Sequence, residues 1–213
     1  MPMKKPDIEK FFAALSAAQP APKGELHYVN PYTLLVAVVL SAQATDVGVN
    51  KATKPLFAKV KTPEAMVALR LERLREYVKT IGLYNTKAKN VIALSELLIA
   101  RHGGKVPCDR AALQALPGVG RKTANVVRNI AFGEPTIAVD THVFRVSNRT
   151  GLAPGKTPLA VEEKLLKAVP EKYRTHAHHW LILHGRYICL ARKPKCPECP
   201  VRQVCGFKGK TTV

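Results

Sequence analysis

Four cysteines stand in the last 25 residues of the chain, spaced Cys189-x6-Cys196-x2-Cys199-x5-Cys205. If their thiolates share one centre, the tail must wrap around it rather than extend. A secreted disulfide framework spreads its cysteines through the chain, whereas a local cluster points to a metal site in an intracellular protein. Four thiolates with one C-x2-C pair suit either tetrahedral zinc or a [4Fe–4S] cluster, and spacing alone admits both. The fifth cysteine, Cys108, lies far from the others in sequence and is assigned no role. His176, His178 and His179 lack the H-E-x-x-H pattern and are expected to be surface or packing residues next to Trp180 and Leu181.

Upstream of the tail the pattern is helical nearly throughout. Asn30-Pro31 and Thr62-Pro63 each pair a capping residue with a first-turn proline. They announce helices over YTLLVAVVLSAQ and EAMVAL. Asn85-Thr86 precedes KAKNVIALSELLIARHGG, whose apolar residues recur at helical spacing until Gly103-Gly104. Asp109 can cap RAALQAL, and further helices are expected over 121–131, 161–169 and 175–187. The one strand-like stretch is TIAV at 136–139. The expected class is therefore all-α with two lobes. Residues 24–134 form a six-helix domain, and 1–23 with 135–213 form a helical domain carrying the cysteine tail. The N-terminal helix around Ile8–Ala18 could pack with either.

Lys and Arg number 34 against 15 acidic residues, a formal charge of +19. Such an excess calls for a polyanion, most often nucleic acid. The longest apolar run, LLVAVVL, is too short to span a bilayer. The start, MPMKKPDIEKFF, has no apolar stretch or small-residue cleavage site after its positive charge. The expectation is a cytoplasmic, nucleoid-associated monomer with no membrane partner and no targeting signal.

LPGVGRKTANVV, residues 116–127, carries the most chemistry. Pro117 stops the preceding helix. Gly118 and Gly120 permit positive φ and close backbone approach, and Leu116 and Val119 can bury inward. A helix then begins at Arg121 with its first N–H groups pointing outward. Such an end can seat a phosphate on backbone amides. The GxxxxGK[ST] spacing is absent, so this is not a P-loop. The alternative is a tight helical turn with two surface cations. Lys122 lies in the first turn beside Arg121, where the helix dipole and the like charge both disfavour an ammonium. A lysine held partly as free amine is a nucleophile.

LPGVGRKTA followed by VDTHVFR at 139–145 resembles the helix-hairpin-helix DNA glycosylases. SAQATD at 41–46, GLYN at 82–85 and the cysteine tail narrow the resemblance to their iron–sulfur branch, over roughly Pro31 to Cys205. It implies a two-lobed all-α glycosylase fold, with the hairpin at about 109–131 and a C-terminal [4Fe–4S] loop held by Cys189, Cys196, Cys199 and Cys205. It implies base excision repair by a bifunctional DNA glycosylase and abasic-site lyase. The substrate would be double-stranded DNA with oxidised pyrimidines or abasic sites. Lys122 would form a Schiff base with the sugar, and β-elimination would cut 3′ to the abasic site.

Asp140 would supply the carboxylate that the cationic sugar needs, although Asp at that place also reads as an N-cap. The target nucleotide has to leave the stack. Gln43 and Leu83 would fill the gap, although they also read as a helix-end amide and a hydrophobic contact after Gly82. The DNA-contact set is then Gln43, Leu83, Gly118, Val119, Gly120 and Arg121, with Arg192, Lys193 and Lys195 of the basic loop between the first two cysteine ligands. A monofunctional adenine or mismatch glycosylase and a non-catalytic helix-hairpin-helix DNA-binding protein are the alternatives.

Overall fold

The computed structural model describes residues 2–212. Among them are eleven α-helices, one 3-10 turn and no strand. The chain divides into two units, one of residues 25–133 and one of residues up to 24 together with those from 134 onward.

The 25–133 unit is built around α2 (Pro31–Leu40), in which every residue from Tyr32 to Leu40 is buried. A helix that is apolar on all sides has to be central. Around it stand α3 (Asp46–Lys59), α6 (Tyr84–His102) and α8 (Arg121–Phe132). Asn30 and Thr33 form the capping box that starts α2. Each fully buried Leu or Val there contributes roughly 1.5–3 kcal/mol of burial. The buried Tyr32 hydroxyl is matched to the Ser95 hydroxyl of α6 at 2.6 Å, so the core leaves neither group unsatisfied. The short helices α4 (Pro63–Leu69), α5 (Leu71–Val78) and α7 (Arg110–Gln114) complete the unit, which thus holds seven helices rather than the expected six.

The other unit packs α1 (Lys5–Ala18), α9 (Thr141–Thr150), α10 (Pro158–Ala168), the 3-10 turn Glu171–Tyr173 and α11 (Arg174–Tyr187). The N-terminal helix belongs here: Phe11 and Phe12 are fully buried in this core with Val143, Leu165 and Leu181. The Phe12 ring stacks on Tyr173 at 5.7 Å, and the Trp180 indole N–H donates to the Gln19 carbonyl at 2.7 Å. α9 and α11 approach closely at Gly185, where a Cβ would come within 2.9 Å of the His142 Cβ.

Four further expectations are corrected. TIAV is not a strand. Ile137, Ala138 and Val139 are buried in a segment without regular secondary structure. Among the described residues no neighbouring strand offers a ladder, and the Ala138 carbonyl meets the His178 ring at 3.0 Å instead. α2 ends at Leu40 and does not run on through Ser41, Ala42 and Gln43, and the Ser41 hydroxyl donates back to the Val38 carbonyl at 2.9 Å. α6 starts at Tyr84 and not after Asn85-Thr86, because Leu83 turns the chain in the left-handed region with φ 61°. α10 starts at Pro158 and not Val161, with the Thr157 hydroxyl accepting from the Ala160 N–H at 3.2 Å. No helix among the described residues is long and apolar enough to cross a membrane.

Candidate nucleic-acid interface and thiol centre

In the 25–133 unit the residues singled out by sequence fall on three loops. Gln43 and Leu83 are exposed, and both have left-handed backbones, φ 54° and 61°. For residues other than Gly, Asn or Asp that conformation costs about 1–2 kcal/mol, so the fold holds both turns against a local penalty. The loops adjoin: a Cβ on Gly82 would lie 3.8 Å from the Gln43 carbonyl oxygen. Leu83 is 61% exposed, an apolar side chain presented largely to solvent.

The hairpin packs against a later turn of α6. Gly118 has φ 78°, and a Cβ there would come within 2.9 Å of the Asn90 side chain of α6. Both constraints demand glycine. Gly118→Ala is expected to cost about 1–3 kcal/mol of stability, from the left-handed penalty plus the clash, and to weaken DNA binding; thermal melts and titrations with duplex check both. Gly120 differs from the expectation. Its φ is −87°, so it needs no left-handed freedom, and nothing lies within 4 Å of a Cβ built on it. Its backbone therefore lies open to an incoming group. Gly120 is the N-cap of α8, with no side-chain cap and no acid in the first turn. Leu116 and Val119 are buried as expected, and the Val119 N–H donates to the Leu116 carbonyl at 3.1 Å. That amide serves the turn itself. Arg121 is half-buried and Lys122 is exposed in the first turn of α8.

In the other unit Asp140 is the N-cap of α9, its carboxylate accepting from the Val143 N–H at 2.8 Å. The capping role is real and leaves the second carboxylate oxygen for other work. Cys189, Cys196, Cys199 and Cys205 line one pocket with His184, Arg149 and Phe207. Burial and the neighbouring thiols push the Cys199 thiol up to about 11 and raise Cys205. Burial disfavours the thiolate forms of Cys199 and Cys205, and bound metal cations would offset that cost. Among the described residues no three His, Cys, Asp or Glu groups are drawn close enough to share one ion. A [4Fe–4S] cluster asks for something different, one thiolate at each of four irons, and four thiols around one pocket fit it.

Sequence reasoning missed the residues that support this centre. The Arg149 guanidinium donates to the Leu190 carbonyl at 2.6 Å and the Ala191 carbonyl at 2.8 Å, reaches the Cys189 sulfur at 3.5 Å, and lies over the Phe207 ring at 5.0 Å. Arg145 donates to the carbonyls of Cys189 at 3.1 Å and Gly185 at 2.7 Å. The His184 ring is 3.8 Å from the Cys199 sulfur, and burial holds its pKa down to about 4. Together they fix the root of the basic loop, on which Arg192, Lys193 and Lys195 are all exposed. Lys195 stands 4.0 Å from Glu198, an exposed pair of little energetic weight. Cys108 is half-buried and belongs to the 25–133 unit, whereas the four tail cysteines belong to the other. His178 is a buried packing residue, and His176 lies edge-on to Trp180 at 5.5 Å.

Residues 36–171 match the model of the HhH-GPD superfamily base excision DNA repair proteins, and residues 189–205 match the iron–sulfur binding domain of endonuclease III. The chain is 56% identical to the endonuclease III of Escherichia coli K12 over 211 residues, covering 99% of this chain and all of that one. It is 60% identical to that of Rickettsia conorii over 94% of this chain and 95% of the relative. Among solved structures, a trapped endonuclease III–DNA covalent intermediate superposes with a TM-score of 0.88 at 47% identity, covering 96% of both chains. A thermostable thymine-DNA glycosylase superposes with a TM-score of 0.83 at 28% identity, over 96% of this chain and 95% of that one.

Proposed function

The chain belongs to the endonuclease III family of HhH-GPD base excision DNA repair proteins, and we propose that Lys122 is its nucleophile. The protein is a bifunctional DNA glycosylase and abasic-site lyase that binds DNA and carries a [4Fe–4S] cluster. The observation that carries the Lys122 assignment is its place: an exposed amine in the first turn of α8, beside the uncapped, open amide end at Gly120. The Gly120 and Arg121 amides receive a phosphate there, which leaves Lys122 beside the sugar.

The steps follow from the chemistry. The Lys122 amine attacks C1′ of a nucleotide flipped from the stack through its nitrogen lone pair. The base leaves with the electron pair of the glycosidic bond. The new C1′–N bond becomes an imine as the ring C1′–O bond opens. Loss of a C2′ proton then breaks the C3′–O bond and cuts the strand on the 3′ side, and water finally hydrolyses the imine. Asp140 stabilises the positive charge that develops on the sugar and relays protons. Gln43 hydrogen-bonds the orphaned base while Leu83 wedges into the gap. The cluster, when bound, supplies order rather than a reaction step, holding Arg192, Lys193 and Lys195 toward the phosphates. The substrates are oxidised pyrimidines and abasic sites in duplex DNA. The protein works as a cytoplasmic monomer without a membrane partner, in keeping with the +19 charge of the chain.

Asp140 allows capping and catalysis to be separated. Asn caps as well as Asp, so Asp140→Asn is expected to keep the melting temperature while base excision falls by about 10²–10³-fold. Asp140→Ala should lose the same activity and also about 1 kcal/mol of stability. Single-turnover base release and thermal melts measure the two. An active Asp140→Asn protein would leave Asp140 as a cap alone.

A further inference from the structure

Lys87 is a lysine in an unusual place. It lies in the first turn of α6, four residues after Leu83, and is only 5% exposed. Its Nζ is buried and has no hydrogen-bond partner among the described residues. Long charged side chains near a surface ordinarily carry their head groups into water. A buried ammonium without a counter-ion is costly, and burial lowers its pKa.

The surroundings make the cost greater. The N-cap of α6 is Leu83, which supplies no side-chain hydrogen bond, and the first turn contains no acid. The helix end is therefore positive and uncapped. Helical side chains lean toward the N-terminus of their own helix, which for Lys87 is the direction of the turn that bears Leu83. Three residues further on, Asn90 packs against Gly118 of the hairpin. The start of α6 thus carries a buried, unpartnered ammonium and an uncapped positive end on the helix that also meets the hairpin.

We propose that Lys87 and the uncapped first turn of α6 form a second phosphate site, which closes on the DNA backbone beside the Leu83 wedge. The inference rests on Leu83 being the wedge. Backbone N–H groups of the first turn meet the phosphate oxygens, and the buried ammonium adds to the positive potential behind them without touching the phosphate. The buried amine costs stability in the free protein and gains its counter-ion only when DNA is bound.

The test uses duplex carrying an uncleavable abasic analogue, titrated at several salt concentrations. Lys87→Met should bind more weakly, with a salt slope shallower by about 0.9, and Lys87→Arg should keep the wild-type slope. Lys87→Met should melt at or above the wild-type temperature, because it removes an unpaired buried charge. Replacing one phosphate at a time by methylphosphonate should reveal one position that costs affinity in wild type and nothing further in Lys87→Met; this separates a DNA phosphate from free inorganic phosphate. A Lys87→Met protein with wild-type affinity and slope would overturn the second site, as would one that melts lower with its slope unchanged. The wedge reading fails separately, if Leu83→Ala binds and excises like wild type.

Discussion

Lys122→Ala is expected to bind abasic duplex close to normally and to lose strand scission by about 10⁴-fold or more, the scale on which removing a nucleophile acts. The lysine is exposed at the start of α8, so truncation creates no cavity. Gly118 holds the turn by its own φ and by its fit against Asn90, and α8 keeps its backbone start at Gly120. The fold and the amide end therefore survive the change. One phosphate-side cation is lost, which costs at most about one unit of salt slope. Lys122→Arg should be nearly as inactive, because a guanidinium stays protonated and cannot attack. Gel assays of cleavage, run beside binding titrations, separate the two effects. Cleavage retained in Lys122→Ala would move the nucleophile elsewhere.

Removing one cluster ligand is expected to have the largest effect on stability. Cys199→Ala leaves three thiols for a site that takes four. The remaining thiols keep their burial without the metal that offsets it, and metal-site binding energy is folding energy, on the order of 10 kcal/mol for structural sites. Purified Cys199→Ala should lack iron–sulfur absorption, and its tail from Cys189 onward should become sensitive to protease. DNA affinity should fall as Arg192, Lys193 and Lys195 lose their fixed loop, with a shallower salt slope. The 25–133 unit has its own core around α2 and should stay helical by circular dichroism. A variant with full DNA affinity would refute the ordering role of the cluster.

Local features are legible in the sequence where local physics decides them. Gly118 reads as a left-handed turn because only glycine suits one, and Asp109, Asn30 and Thr62 read as caps because their side chains act three residues away. Gly120 misleads for the same reason: the sequence shows a glycine but not whether it serves φ or open space. TIAV has β propensity, yet a strand needs a partner that no local window contains. Leu83 hides the start of α6 because leucine is not a capping type. Arg145 and Arg149 hold carbonyls about 40 residues away in sequence, a pairing that helical periodicity cannot announce. Lys87 looks like one more surface cation in a basic chain, and only its burial sets it apart.

The central claim is a covalent bond between the Lys122 amine and C1′. Duplex DNA with a single abasic site, incubated with the protein in the presence of borohydride, should give a stable adduct by reduction of the imine. Proteolysis and mass spectrometry should place the modification on the peptide that contains Lys122, and Lys122→Ala should give no adduct. A modification at another amine, or an undiminished adduct in Lys122→Ala, would contradict the account.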